Sequence, residues 1–446
     1  MNDWKTQLAG AHVLVVGCGA TGASAARFAA AAGARVRVID SRAAPPAAAE
    51  LAREWPEIEF RTGALAASAL AGIDRIVVSP GVDLREPLIV AARAAGYEVV
   101  GDIEWFARTV NAPVIAITGS NGKSTVTAWL GEIAAAAGRR VAVGGNFGTP
   151  ALDLLADDID LYVLELSSFQ LELTDRIACA AATVLNISAD HIDRHGSLEH
   201  YAELKARIFR AAGIALINAD DPRVSAMHTQ AARVLRFGAG ERADYRVIDI
   251  DDGLWLARGA APWLDARRLR VAGRHNVANA AAVWALAEAL GIDEATIRAG
   301  LEGFAGLAHR CQWVAEIGGV RWVNDSKGTN LGAMLASLAG MDAPVVLLAG
   351  GCGKGADFAA LGPAAARRAR AVLVFGEDAA AIAAAVVGHA PVENVATLAE
   401  AVRRAAAIAQ AGDVVLLSPG CASFDQFDNY MARGDAFTAA VQELAA

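Results

Sequence analysis

The chain has 446 residues, about three domains at roughly 150 residues each and too many for one hydrophobic core. Its 40 Lys and Arg against 49 Asp and Glu leave a formal net charge of −9, which argues against a general nucleic-acid binder, whose footprint is basic. Hydrophobic residues reach 55%, yet no run approaches the roughly 18 apolar residues of a membrane span, and Met1–Lys5 carries no leader pattern, so a cytoplasmic protein is expected.

His12–Gly17 (HVLVVG) reads as a buried parallel strand, followed by a helix over about Thr21–Ala32 and a second strand, Ala34–Ile39, ending at Asp40. Further strands are expected at Arg75–Ser79 and Tyr97–Val100. This is a doubly wound α/β unit. Gly17-x-Gly19-x-x-Gly22 after the first strand, with Asp40 ending the second, meets the dinucleotide fingerprint, and the same geometry suits any nucleotide diphosphate.

A second strand–helix series begins at Pro113–Thr118, with a helix over about Ser124–Ala137. Strands are expected at Leu161–Leu166, Ala182–Leu185 and Ile214–Asn218, then a short meander over Arg233–Arg270 and a helix over about Asn276–Leu290. Between the first strand and helix stands Thr118-Gly119-Ser120-Asn121-Gly122-Lys123-Ser124. Glycines there turn backbone N–H groups toward phosphates, and the helix N-terminus adds a favourable dipole. Lys123 would reach the β- and γ-phosphates and the Ser124 hydroxyl would ligate Mg²⁺. Glu165, ending LYVLE, suits a second metal ligand at a parallel strand's C-terminal end. Asn186-Ile187-Ser188-Ala189-Asp190-His191-Ile192-Asp193-Arg194-His195 is dense in groups that ligate metal or bind anions. Lys205 shares a partly apolar helix stripe with Tyr201, Ile208 and Phe209, so it either snorkels or is an amine whose pKa burial lowers.

A third series runs through strands at Arg321–Asn324, Val345–Ala349, Val372–Phe375 and Val414–Ser418. Three strand ends carry polar or glycine-rich loops: Asn324–Asn330 (NDSKGTN), Gly350–Gly355 (GGCGKG) and Ser418–Phe424 (SPGCASF). Two cationic loops on one sheet suit a carboxylate or phosphate ligand. Boundaries are expected near Gly101 and Gly306. The cysteines, Cys18, Cys179, Cys311, Cys352 and Cys421, form no C-x-x-C pair and read as reduced thiols.

Taken in order, TGSNGKST, GGNFG (Gly144–Gly148), LELSSFQLE (Leu164–Glu172), NISADHIDRH, GRHNVANAAA (Gly273–Ala282), His309-Arg310, NDSKGTN, GGCGKGADF and LSPGCASFDQF resemble the Mur ligase family over the whole chain, most closely its D-glutamate-adding member. The resemblance implies three domains: 1–101, Rossmann-like and UDP-binding; 102–306, a central P-loop parallel sheet; and 307–446, Rossmann-like and amino-acid-binding. It implies amide-bond formation in which ATP converts the carboxylate of UDP-N-acetylmuramoyl-L-alanine to an acyl phosphate that D-glutamate attacks, in peptidoglycan-precursor synthesis.

By the same resemblance, Lys123, His191 and Lys205 are catalytic. Gly119, Ser120, Asn121, Gly122, Lys123, Ser124, Thr125, Asn276, Arg310 and Asp325 hold ATP, Asp325 near the ribose. Mg²⁺ is held by Ser124, Glu165, His191 and Lys205, the last as a carbamate. Ala20, Thr21, Asp40, Ser41, Arg42 and Gly81 form the UDP site, with Asn146, Gln170 and His191 facing the muramoyl-alanine. Lys327, Thr329, Lys354, Ser423 and Phe424 take glutamate. The protein is expected to be a monomer with no nucleic-acid partner. Three positions depart from the family pattern: Cys352, Gly328 and Tyr430. The rival readings are an NAD-dependent dehydrogenase, a catalytically silent nucleotide-binding scaffold, and a family member that adds a different amine.

Overall fold

The computed structural model describes residues 4–188, 190–251, 253–271, 273–341, 343–353 and 355–444. They group into two compact units: Met1–Val247 with Ala257–Ala261 and Ala281–Arg298, and Ile248–Leu256 with Pro262–Ala280 and Ala299–Ala446.

The first unit opens with a five-stranded sheet: β1 (His12–Val16), β2 (Arg35–Asp40), β3 (Glu59–Thr62), β4 (Arg75–Val78) and β5 (Val99–Val100), in the order β3-β2-β1-β4-β5. All four pairings are parallel. The order reverses at β1, the switch point where open α/β sheets bind ligands. Strand β3 was not expected; it is an edge strand of sequence EFRT with no buried face, so hydrophobic patterning could not mark it.

Next come β6 (Val114–Thr118), β7 (Val141–Gly145), β8 (Leu161–Glu165), β9 (Ala178–Val184), β10 (Ala211–Asn218), β11 (Arg233–Gly238), β12 (Tyr245–Ile250), β13 (Gly253–Arg258) and β14 (Ala261–Asp265). Their sheet order is β14-β13-β12-β11-β10-β9-β6-β8-β7. From β7 to β11 neighbours run parallel. The expected meander after Arg233 is strands β11 to β14, adjacent in both sequence and sheet. Strand β7 was missed: it is a short edge strand, only partly buried at Val141 and Val143, that ends in two glycines.

Within the first unit the five-stranded sheet and strands β6 to β11 share one apolar core, in which Trp105, Phe106 and Tyr162 are buried with Val13, Val38 and Leu164. Gly101 lies at that contact. Its N–H donates to Leu173 O at 3.1 Å, and a Cβ there would sit 3.0 Å from Leu173 Cβ.

The second unit carries β15 (Gln312–Ile317), β16 (Val320–Asn324), β17 (Val345–Gly350), β18 (Ala369–Phe375), β19 (Val392–Asn394) and β20 (Val414–Leu417), in the order β15-β16-β20-β17-β18-β19. The edge strand β15 is antiparallel to β16, and the other four pairings are parallel. One face packs on the helices Leu331–Gly340, Leu361–Arg368 and Ala379–Val386, the other on Leu398–Ile408 and Tyr430–Leu444. No described helix is long and apolar enough to cross a membrane.

Candidate functional site

The loop after β6 is built for an anion. Gly119 (φ 151°) and Gly122 (φ 81°) occupy backbone conformations that side chains disfavour. A Cβ on Gly119 would meet Leu185 Cβ at 3.1 Å, so the loop packs directly on the end of β9. The Ser120 N–H donates to Asn186 O (2.9 Å) and the Asn121 N–H to Asn186 Oδ1 (2.8 Å). Those two amides therefore shape the loop. The donors left for phosphate are the amides that open the helix Lys123–Ala136, which have no intrahelical acceptor.

At the loop's end Ser124 Oγ donates to Glu165 Oε2 at 2.5 Å, and Asn146 Nδ2 donates to Glu165 Oε1 at 2.6 Å. Glu165 is only 3% exposed, so a buried carboxylate meets a helix-start hydroxyl at adjacent strand ends. Lys123 Nζ donates to Ser120 O at 2.9 Å.

Lys205 does not snorkel. It is 1% exposed, with Nζ 3.2 Å from Thr118 Oγ1 and 4.7 Å from the centre of the Tyr201 ring. Burial, and then the charge of Lys123, bring its pKa from 10.5 down to about 7. Asp190 and Glu165 pull the other way and are weaker. At neutral pH much of this amine is thus unprotonated and nucleophilic. Tyr201 OH lies 3.2 Å from Ser120 Oγ and ties the Lys205 helix to the loop.

Gln170, expected to face substrate, is engaged internally. Its Oε1 accepts from Ser167 N–H and Oγ in a capping box, and its Nε2 donates to Asp102 Oδ2 at 3.1 Å. Asp102 is buried, which pushes its pKa up to about 6. His191 is exposed, in the left-handed region at φ 53°, with Nε2 3.5 Å from Asp190 Oδ2. Asn146 is also exposed.

At the ends of β1, β2 and β4, Ala20, Ser41, Arg42 and Gly81 are exposed and Thr21 is half-buried. Asp40 is not. Its carboxylate accepts from the Cys18 N–H (2.7 Å) and from Arg42 Nε and NH2 (2.9 and 2.6 Å). The Arg42 bond holds its pKa near 2. This aspartate therefore fixes the glycine turn and orients Arg42 at the end of β2.

In the second unit Asp325, expected beside the ATP ribose, has its carboxylate directed into its own loop cluster. It accepts from Ser337 Oγ and Ser418 Oγ (both 2.7 Å) and from the Cys311 N–H (3.2 Å). Burial raises its pKa despite these donors and the nearby charge of Arg310. The Gly328 departure has a steric reason, since a Cβ there would lie 2.8 Å from Asp325 Oδ2. Lys327 Nζ donates to Tyr430 OH at 3.3 Å and lies 5.0 Å from that ring's centre. Thr329 is half-buried, Ser423 buried, and Phe424 67% exposed. Asn276 is 5% exposed, and its Oδ1 accepts from Asn279 Nδ2 at 3.1 Å. Lys354 lies outside the described residues.

Arg433 was missed. It is fully buried and donates to Ser326 Oγ and O, Cys421 O and Gly350 O, so one guanidinium joins the loops after β16, β17 and β20. It lies four residues before Phe437 and eight before Val441, all buried. The stripe argument that singled out Lys205 would have found it.

Residues 11–101 match the Mur ligase MurD-like N-terminal domain, 117–287 the Mur ligase middle domain, and 309–421 the Mur ligase glutamate ligase domain. The UDP-N-acetylmuramoylalanine–D-glutamate ligase of Nitrosococcus oceani is 50% identical over 436 residues, covering 97% of this chain and 96% of its own. The enzyme of the same name from Pseudomonas aeruginosa is 48% identical, covering 97% and 98%. The solved UDP-N-acetylmuramate–alanine ligase of Thermotoga maritima shares the fold, with a TM-score of 0.59 at 20% identity over 97% of this chain and 99% of that one. Three domain matches in order, together with near-full-length relatives at about half identity, place this chain in the Mur ligase family.

Proposed function

We propose that the chain is a cytoplasmic, monomeric ligase that joins D-glutamate to UDP-N-acetylmuramoyl-L-alanine, with ATP as the phosphoryl donor. The relatives' shared name supports the substrates. The observation that carries the chemistry is the buried Ser124–Glu165 pair beneath a phosphate loop, with Lys123 and the neutral-tending Lys205 at the same sheet edge.

A carboxylate is a poor electrophile. Phosphoryl transfer from ATP gives it a leaving group, and the glutamate amine then displaces phosphate from the acyl phosphate. Two anions must meet, so cations and helix-start amides must neutralise charge as it develops. Lys123 serves the transferring phosphoryl, and the amides up to Thr125 hold the phosphates. The hydroxyl of Ser124 and the carboxylate of Glu165 are hard oxygen donors, which fit Mg²⁺. His191 offers a softer imidazole nitrogen and would serve a second Mg²⁺ as ligand or positioner. Mg²⁺ bound there would neutralise phosphate charge.

Lys205 is suited to carbamylation. Its free amine adds to CO₂, the N–C bond forms, and the released proton leaves to solvent, giving a carboxylate that can ligate metal. In the same reading, residues 1–101 bind UDP, 102–306 bind ATP and 307–446 bind glutamate. Asn276 and Arg310 hold adenine and phosphate, and Asp325 braces the loop on the ribose side. Arg42, aimed by Asp40, meets UDP with Ala20, Thr21, Ser41 and Gly81. Asn146 and His191 face the muramoyl-alanine, with Gln170 acting through the cap it closes. Lys327, Thr329, Lys354, Ser423 and Phe424 receive glutamate.

Phosphate release from ATP tests the proposal. It should require both UDP-N-acetylmuramoyl-L-alanine and D-glutamate, and L-glutamate should not substitute. Release that ignores either substrate would refute it.

A further inference from the structure

His195 ends a one-turn helix, Ile192–His195, whose N-cap is His191. His191 is held at φ 53°, a costly conformation for a side-chain-bearing residue, which persists only when its surroundings fix it. Those surroundings centre on Phe169. Its ring lies between the two imidazoles, with centroids 4.9 Å from His191 and 5.0 Å from His195, the latter stacked at 25°.

His195 is 6% exposed. Its Nε2 lies 3.0 Å from Ser168 Oγ, its N–H donates to His191 O at 3.0 Å, and its ring centre is 5.5 Å from that of Tyr201. Its Nδ1 has no hydrogen-bond partner among the described residues. Burial, with Arg194 beside it, brings the pKa down to about 4, so the ring is neutral at pH 7. A phenyl ring would fill this space without an orphaned nitrogen, whose burial is unfavourable. What the imidazole adds over a phenyl ring is the bond to Ser168.

We propose that His195 is a positioning residue: by gripping Ser168 and stacking on Phe169, it locks the Ser167–Gln170 turn to the His191 turn and so fixes where His191 stands. This rests on the ligase reading, in which His191 serves Mg²⁺ and the muramoyl-alanine. His195 itself touches neither.

Two variants of the full chain separate the parts of the clamp. His195→Phe keeps the stack and loses the Ser168 bond, while His195→Ala loses both. In glutamate-dependent phosphate release, His195→Ala should raise the Mg²⁺ concentration for half-maximal rate about tenfold and His195→Phe about threefold, with the KM for ATP unchanged within twofold. Phe169→Ala should give a similar shift, and the double variant should add little to it, because coupled residues are not additive. Independently of activity, amide hydrogen exchange in Ile192–His195 should speed up about tenfold in His195→Ala. A folded His195→Ala chain with parental exchange there overturns the clamp. Faster exchange with parental Mg²⁺ dependence overturns its role in placing His191. A parent chain without glutamate-dependent release overturns the ligase reading instead, and the exchange result still decides the clamp.

Discussion

Replacing Arg433 with alanine tests how the second unit's loops are held. The guanidinium makes three good bonds, to Ser326 Oγ (3.0 Å), Ser326 O (2.8 Å) and Cys421 O (3.1 Å), and a long one to Gly350 O (3.4 Å). Hydrogen bonds to a charged group contribute about 1.5–3 kcal/mol each, so the three good ones contribute roughly 5–9 kcal/mol. Against this, burial lowers the Arg433 pKa from 12.5 to about 10, which at 1.36 kcal/mol per unit is an opposing term of about 3 kcal/mol. The net loss on truncation is then about 2–6 kcal/mol, toward the lower end if water enters the space left behind. A chain of several units does not unfold in one step, so the readout must be local. Amide hydrogen exchange of β16, β17 and β20 in the full chain reads it, and a loss of 3 kcal/mol appears as roughly a hundredfold faster exchange. Arg433→Lys keeps the charge but has one nitrogen for three loops, and should recover less than half of the loss. Exchange within threefold of the parent in Arg433→Ala would show that the loops hold themselves.

Lys205→Ala should abolish turnover, and acetate should partly restore it by supplying the missing carboxylate; full activity without acetate would make Lys205 a packing residue only. With a folded pKa near 7 against 10.5 unfolded, the unfolded chain binds the extra proton between those values, so stability rises with pH across that window. Lys205→Met should flatten that rise in CO₂-free buffer, and an unchanged slope would mean the amine is not desolvated. Asp102 titrates in the opposite sense: its pKa is raised from 3.8 to about 6, so the folded chain holds the proton and stability falls as pH rises through that range. Asp102→Asn should remove the fall, as read by amide hydrogen-exchange protection of the helix Asp102–Thr109, corrected for intrinsic rates, at pH 4 and pH 7. Gly22→Ala would place a Cβ 1.8 Å from the Gly17 carbonyl oxygen, a backbone atom with little freedom to move. It should cost about 3 kcal/mol and weaken UDP binding at least tenfold, and an unaltered UDP titration would contradict the packing.

Much of the site was legible because its chemistry demands particular residues at particular strand ends. TGSNGKS must lie between a strand and a helix, and Glu165 must end the neighbouring strand to reach Ser124. Lys205 stood out by its apolar stripe. Ownership of polar atoms was not legible. Asp40, Gln170 and Asp325 each sit in a recognisable motif, yet their carboxylate or amide groups are engaged by partners such as Cys18, Asp102 and Ser418, which only folding brings near. Gln170 and Asp102 are 68 residues apart, and no local rule connects them. Strands β3, β15 and β19 escaped notice because edge strands need little hydrophobic pattern.

The position of β20 sets an order of events during synthesis. It lies between β16 and β17, and these two strands pair with it rather than with each other. It is also the last of the six to leave the ribosome. Until Val414–Leu417 emerges, β16 and β17 present unpaired backbone edges that can template pairing with another chain. At 5–20 residues per second, the roughly 90 residues from Asn324 to Val414 keep the β16 edge open for about 5–20 seconds. The sheet of the second unit is therefore the part most dependent on chaperone cover, and a ribosome that stalls before Val414 releases an incomplete sheet prone to aggregate.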